Sequence, residues 1–109
     1  MIIYNVTTSV DDSIVSDWLN WMRSVHINEV LACGIFIKAK ISRVISEVDS
    51  NNTFAISYTC KSMKDLHQYQ IKFAAELQKK HSDRYAGKVI FFRTIIEEIQ
   101  KFKVSDSAF

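Results

Sequence analysis

Two stretches of helical periodicity, each closed by one of the chain's two glycines, lie among four stretches rich in β-branched residues, and proline is absent. A chain of 109 residues supports one domain with one modest core. With so few breakers there is little room for Gly-rich phosphate loops or floppy linkers. The order of these stretches therefore carries most of the information about the fold.

"IIYNVTTSV" (2–10) places Ile2, Tyr4, Val6 and Val10 on one face of a strand, with Ile3, Asn5 and Thr7 on the other. Asp11 or Asp12 then caps a helix expected over residues 12–33. At about 100° per residue, Ile14, Trp18, Trp21, Val25 and Ala32 share a stripe. Val15, Leu19, Met22 and Val30 widen it to half the circumference, so this helix must bury against more than one neighbour. Gly34 ends it.

"IFIKAKISRVISEV" (35–48) reads as a long strand with a bulge near Ser42–Arg43, because the apolar phase changes after Ile41. Phe36 and Val44 fall off its main phase. "DSNN" (49–52) supplies a turn, and "TFAISYTC" (53–60) returns with Phe54, Ile56, Tyr58 and Cys60 on one face. "SMKD" (62–65) caps a second helix with a Leu66, Tyr69, Phe73, Leu77 stripe, expected to fray from His81 to Gly87. "KVIFFRTIIEEI" (88–99) is a strand apolar on both faces: Val89, Phe91 and Ile95 on one, Ile90, Phe92 and Ile96 on the other. The domain spans residues 1–100, and the tail 101–109 is either an extra strand or disordered.

Strand–helix–strand–strand–helix–strand is the α+β, ferredoxin-like βαββαβ order. Right-handed crossovers put both helices on one face of a four-stranded antiparallel sheet with spatial order 4-1-3-2. The other face then exposes the second side of strand four. Pairing two copies covers it, so a homodimer burying more than roughly 1,000 Å² is expected.

The segments W-L-N-W-M-x-x-x-H-I-x-E-V-L-A-x-G (18–34), H-x-x-R-Y-x-G-K (81–88) and F-F-R-T (91–94), with "MIIYNV" at the start, resemble a bacterial domain-of-unknown-function family of small proteins. The resemblance covers the chain to about residue 100 and implies a bacterial cytoplasmic protein with no established activity. The element order also resembles, more distantly, the dimeric α+β barrel superfamily, which includes monooxygenase-like and EthD-like proteins. This second resemblance implies a ligand space between helices and sheet, but it is an analogy between folds, and folds host many functions.

Six residues are candidate site residues. His26 and Glu29 lie three apart on the first helix, with Glu29 inside the apolar stripe, so a charged carboxylate there needs a partner. They read either as a proton donor or acceptor tuned by a carboxylate, or as a satisfied structural pair. Arg93, in phase with Val89, Phe91 and Ile95, is placed to grip a carboxylate ligand or to pair with an acid of the protein. Trp18, Trp21 and Tyr4 form an aromatic set facing the sheet, as core or as pocket wall. His81, Arg84 and Tyr85, at the end of the second helix, read as helix capping.

Several other chemistries find no support. A net charge of +2 with no dense basic block does not suit nucleic acid, and "TFAISYTC" lacks an RNA-recognition stretch. No apolar run approaches the roughly 20 residues of a membrane span. Cys33 and Cys60 show no C-x-x-C spacing and read as free thiols, so neither a metal nor a cofactor is expected. The residues thus point to a homodimeric α+β barrel with a small-molecule pocket. The alternative is a non-catalytic structural or protein-interaction module with no ligand.

Overall fold

In a computed structural model, residues 1–46 and 52–105 are described. Strand β1 (Ile2–Val10) lies at the centre, antiparallel to β3 (Thr53–Cys60) on one side and β4 (Val89–Glu97) on the other; β2 (Lys38–Arg43) pairs outside β3. The order β2-β3-β1-β4 is the expected ferredoxin-like one. Directly paired residues share a face, so the register sets Ile2, Tyr4, Val6 and Thr8 beside Cys60, Tyr58, Ile56 and Phe54 under the helices. The opposite face is largely polar, with Ser57 Oγ donating to Asn5 Oδ1 (2.9 Å) and Asn5 Nδ2 to Thr7 Oγ1 (3.1 Å).

The first helical region is not one regular helix. Asp11 Oδ1 accepts from the Ser13 N–H at 2.9 Å and opens a 3₁₀ turn, Asp12–Ile14. Helix α1 (Val15–Trp21) follows, then a π-helical turn (Met22–His26), then α2 (Ile27–Ala32). The Ile27 N–H reaches back five residues to the Met22 carbonyl. This inserts one residue and turns the buried face by about 100°. Trp18, Met22, His26 and Val30, each four apart, are consequently all buried, whereas an unbroken helix would drift by about 40° at each step. Val25, expected in the stripe, is 38% exposed. Gly34 stops the region at φ +78°, a conformation that disfavours any side chain.

Two further expectations are corrected. β2 begins only at Lys38, so the parity read from Ile35 does not apply: Phe36 is buried against Tyr4, Tyr58 and Tyr69 rather than lying on the open face. No bulge interrupts Ser42–Arg43, which pair in register with Ala55 and Phe54. The open face of β2 therefore carries Lys38, Lys40 and Ser42. The expected 49–52 turn lies mostly outside the described residues; Asn52 accepts from the Val10 N–H at 2.9 Å.

The second helical region breaks at Phe73 (φ −127°) into α3 (Met63–Lys72) and α4 (Ala74–Tyr85). Ser62 Oγ caps α3 by accepting from the Asp65 N–H at 3.2 Å. α4 is regular to Tyr85 and does not fray, because Tyr85 is anchored: its hydroxyl donates to Asp17 Oδ2 at 2.8 Å and accepts from Arg84 Nε at 3.0 Å. Arg84 and Tyr85 thus tie α4 to α1 instead of capping α4. After Glu97 the described chain to Ser105 forms neither helix nor strand.

Candidate functional site

Between β1, β3, β4 and the helices lies a cavity of about 60 Å³. One water needs about 10–15 Å³ of such space, so several waters or a small organic molecule fit. A shallow groove near Cys33 and Lys72 is larger, about 410 Å³, but no unpartnered buried group faces it. The chemistry converges on the smaller cavity.

His26 is delivered there by the π-helical turn. The residue is 8% exposed, and its ring stacks on Trp21, with centroids 4.7 Å apart and planes at 20°. Its Nδ1 is the one buried side-chain polar atom without a hydrogen-bond partner among the described residues. Burial, reinforced by His81 nearby, brings its pKa down to about 4, so the ring is neutral at physiological pH.

His81, on α4, faces it with ring centroids 5.8 Å apart. The Trp18 indole N–H donates to His81 Nε2 at 3.0 Å, so a neutral His81 carries its proton on Nδ1. Burial and then Arg93 lower the His81 pKa. His81 also lies 6.2 Å, edge to face, from Phe91, whose ring is 4.7 Å below the Arg93 guanidinium. Phe91 and Arg93 stand on the helix side of β4, opposite Thr8 and Val6. The Tyr4 phenol pKa rises through burial, partly offset by hydrogen bonds to Arg93 and Gln78.

The candidate residues therefore separate. His26, Tyr4 and Arg93 line the cavity. Trp18 and Trp21 do not; they stand behind the imidazoles, one bonding His81 and the other stacking on His26. Glu29 is not in the apolar stripe and does not pair with His26. The π-helical turn rotates it to the rim, where its carboxylate meets Lys80 Nζ at 2.7 Å. His81 and Gln78 are lining residues that the sequence reading passed over. The signal was available, since His81 lies four residues after Leu77 on the same helical stripe.

The arrangement offers two neutral imidazoles, a phenol and a guanidinium around a small space with Val, Ile and Leu walls. No cluster of three metal-ligating side chains occurs among the described residues, and Cys33 and Cys60 are free thiols. No helix there is long and apolar enough to cross a membrane.

Residues 1–99 match DUF4286, a domain of unknown function. The chain belongs to this family. No curated protein sequence matches it. Among solved structures, a dimeric ferredoxin-like protein from an uncultured marine organism has a TM-score of 0.71 at 10% identity, over 93% of this chain and 96% of that one. An EthD family protein from Bacillus halodurans has a TM-score of 0.65 at 15% identity, covering 91% and 100%. A protein from Nitrosomonas europaea, provisionally assigned as an antibiotic biosynthesis monooxygenase, has a TM-score of 0.68 at 15% identity, covering 92% and 100%. At such identities the DUF4286 chain shares with them its ferredoxin-like fold.

Proposed function

We propose that this protein is a homodimer that binds a small molecule in the cavity between helices and sheet, with His26 meeting the ligand's polar atom. The observation that carries this reading is that His26, a residue lining the cavity, has a buried Nδ1 with no hydrogen-bond partner among the described residues. An orphaned buried polar atom costs about 1–3 kcal/mol, and an apolar residue at this position would avoid that cost. A polar group tolerated at such a cost fits a site that trades stability for binding or chemistry. A neutral imidazole can accept a hydrogen bond or a proton from the ligand, while Arg93 stabilises negative charge on it.

The dimer reading rests on β4. Ile90 is 79% exposed, and Phe92, Ile95 and Ile96 are exposed as well. Ile99, Phe102 and Val104 extend this apolar surface along the tail. A second copy that covers Ile90, Phe92 and Ile96 lies on the sheet face away from the cavity and leaves its Phe91–Arg93 side open to a ligand. In this arrangement the tail belongs to the interface, and the domain ends near residue 100. Two free thiols suit the reducing cytoplasm of a bacterium.

A second reading, a structural or interaction module with no ligand, draws support from the Trp18–His81 hydrogen bond and the Glu29–Lys80 pair, which are ordinary packing partners. A fragment screen read on the histidine ring resonances separates the two. Small aromatic fragments should shift the His26 ring signals of the wild type saturably and fail to do so in Leu77→Trp, whose indole fills the cavity. Fragments that never perturb His26, or perturb it equally in the filled variant, would leave the module reading in possession.

A further inference from the structure

We infer that the ligand of this cavity is a small carboxylic acid with an apolar body, bound as its carboxylate in the fork of Arg93. The inference rests on the pocket reading above and adds the charge and shape of what enters.

Among the residues lining the cavity, Arg93 is the one formal charge. The ion pairs of the described residues engage Lys79, Lys80, Arg84 and Lys101, but no acid pairs with Arg93. Its recorded neighbours are the Phe91 ring, at 4.7 Å, and the Tyr4 hydroxyl. Neither supplies a counter-charge, and the exposed guanidinium stands solvated at the cavity's open side, free to meet an anion. Both imidazoles are neutral, and the Tyr4 phenol keeps its proton, so the lining carries a single positive charge. A cation is repelled there, and a neutral molecule brings the guanidinium no counter-charge. A phosphate dianion would face one cation and otherwise neutral donors.

A monoanion balances the charge. The planar guanidinium meets a carboxylate through two parallel N–H···O bonds, a match that selects this anion over others of its charge. The Tyr4 hydroxyl lies beside Arg93, and Gln78 lies beside Tyr4, as further hydrogen-bonding groups on the wall. The remaining wall, Val6, Val30, Ile56 and Leu77, is apolar and suits a short alkyl or aryl body.

The test is a titration of the wild-type protein, as it assembles in solution, with propionate and benzoate against propionamide and benzamide. Binding is read on the His26 and His81 ring resonances. The acids should bind about tenfold or more tightly than their amides, the order expected for hydrogen bonds to a charged group. Arg93→Gln should erase that preference while amide binding persists. Arg93→Lys, which keeps the charge and loses the fork, should retain only part of it and covers the case in which the glutamine variant folds poorly. Amides that bind as tightly as acids, a preference that survives Arg93→Gln, or inorganic phosphate outcompeting both acids would overturn the carboxylate assignment and leave the pocket standing. If no probe perturbs His26 at all, the pocket reading falls and takes this inference with it.

Discussion

Replacing His26 with phenylalanine isolates the unpartnered nitrogen. The new ring keeps the stack on Trp21, now 4.7 Å between centroids, and its extra volume can enter the adjoining cavity of about 60 Å³. Both ring nitrogens are lost, the unpartnered Nδ1 with Nε2, so the orphan penalty of about 1–3 kcal/mol disappears. The variant should be more stable than the parent by about 1–2 kcal/mol at pH 7.5, with Tm raised by several degrees.

The pH dependence gives a second reading of the same atom. Burial holds the His26 pKa at about 4 against the ordinary 6.5. Below pH 6.5 the unfolded chain takes up a proton that the folded chain refuses, so the wild type loses stability as pH falls toward 4. The loss runs at about 1.4 kcal/mol per unit, or about 3 kcal/mol in all. His26→Phe removes this component, and the smaller slope that remains belongs to His81, whose pKa is lowered in the same sense. Urea unfolding at matched protein concentration, from pH 7.5 to 4, measures both effects. A variant that is destabilised by more than about 1 kcal/mol at pH 7.5, or that keeps the parental slope, would refute the reasoning.

Trp18→Phe removes the indole donor and strands His81 Nε2, so a loss of about 1–3 kcal/mol is expected in urea unfolding. Glu29→Gln should leave Tm nearly unchanged and move the His26 pKa slightly further down, because the half-exposed carboxylate bonds Lys80 and acts on the imidazole only through space. A loss of stability as large as that of a broken buried pair would restore the pair expected from sequence. Phe92→Ser combined with Ile96→Ser should convert the dimer to monomer in analytical ultracentrifugation; a dimer that persists would place the interface elsewhere. Truncation after Glu97, which removes Ile99, Phe102 and Val104, should weaken dimerisation about tenfold or more, and unchanged affinity would exclude the tail from the interface.

The strand order and the helix-facing register were legible in the sequence because alternation over β1 and β3 is clean and local. Ile2, Tyr4, Phe54, Ile56 and Tyr58 all face the core as the period-two pattern requires. The first helix misled for a physical reason. A helical wheel assumes a constant turn, and the π-helical insertion at Met22–His26 breaks that assumption without any glycine or proline to announce it. Upstream of the insertion the wheel is right about Trp18 and Met22. Downstream it is wrong by one residue's rotation, which puts Val25 and Glu29 inside and underrates His26.

The same loss of phase at Ile35–Ile37, ahead of β2, hid the burial of Phe36. His81 was passed over because its place near a helix end suggested capping, whereas the Asp17–Arg84–Tyr85 contacts keep the last turns of α4 regular and hold the imidazole against Trp18. The spacing from Leu77 marked the stripe of His81, but only the contacts between α4 and α1 show that it reaches the cavity rather than caps the helix.

The most direct measurement is a high-resolution crystal structure of the protein at neutral pH, read at one atom. Non-protein density should fill the cavity and lie about 2.7–3.2 Å from His26 Nδ1, within reach of Arg93. A collapsed cavity with Nδ1 bonded to a group of the protein itself would contradict the central claim, since His26 would then be an ordinary satisfied core residue.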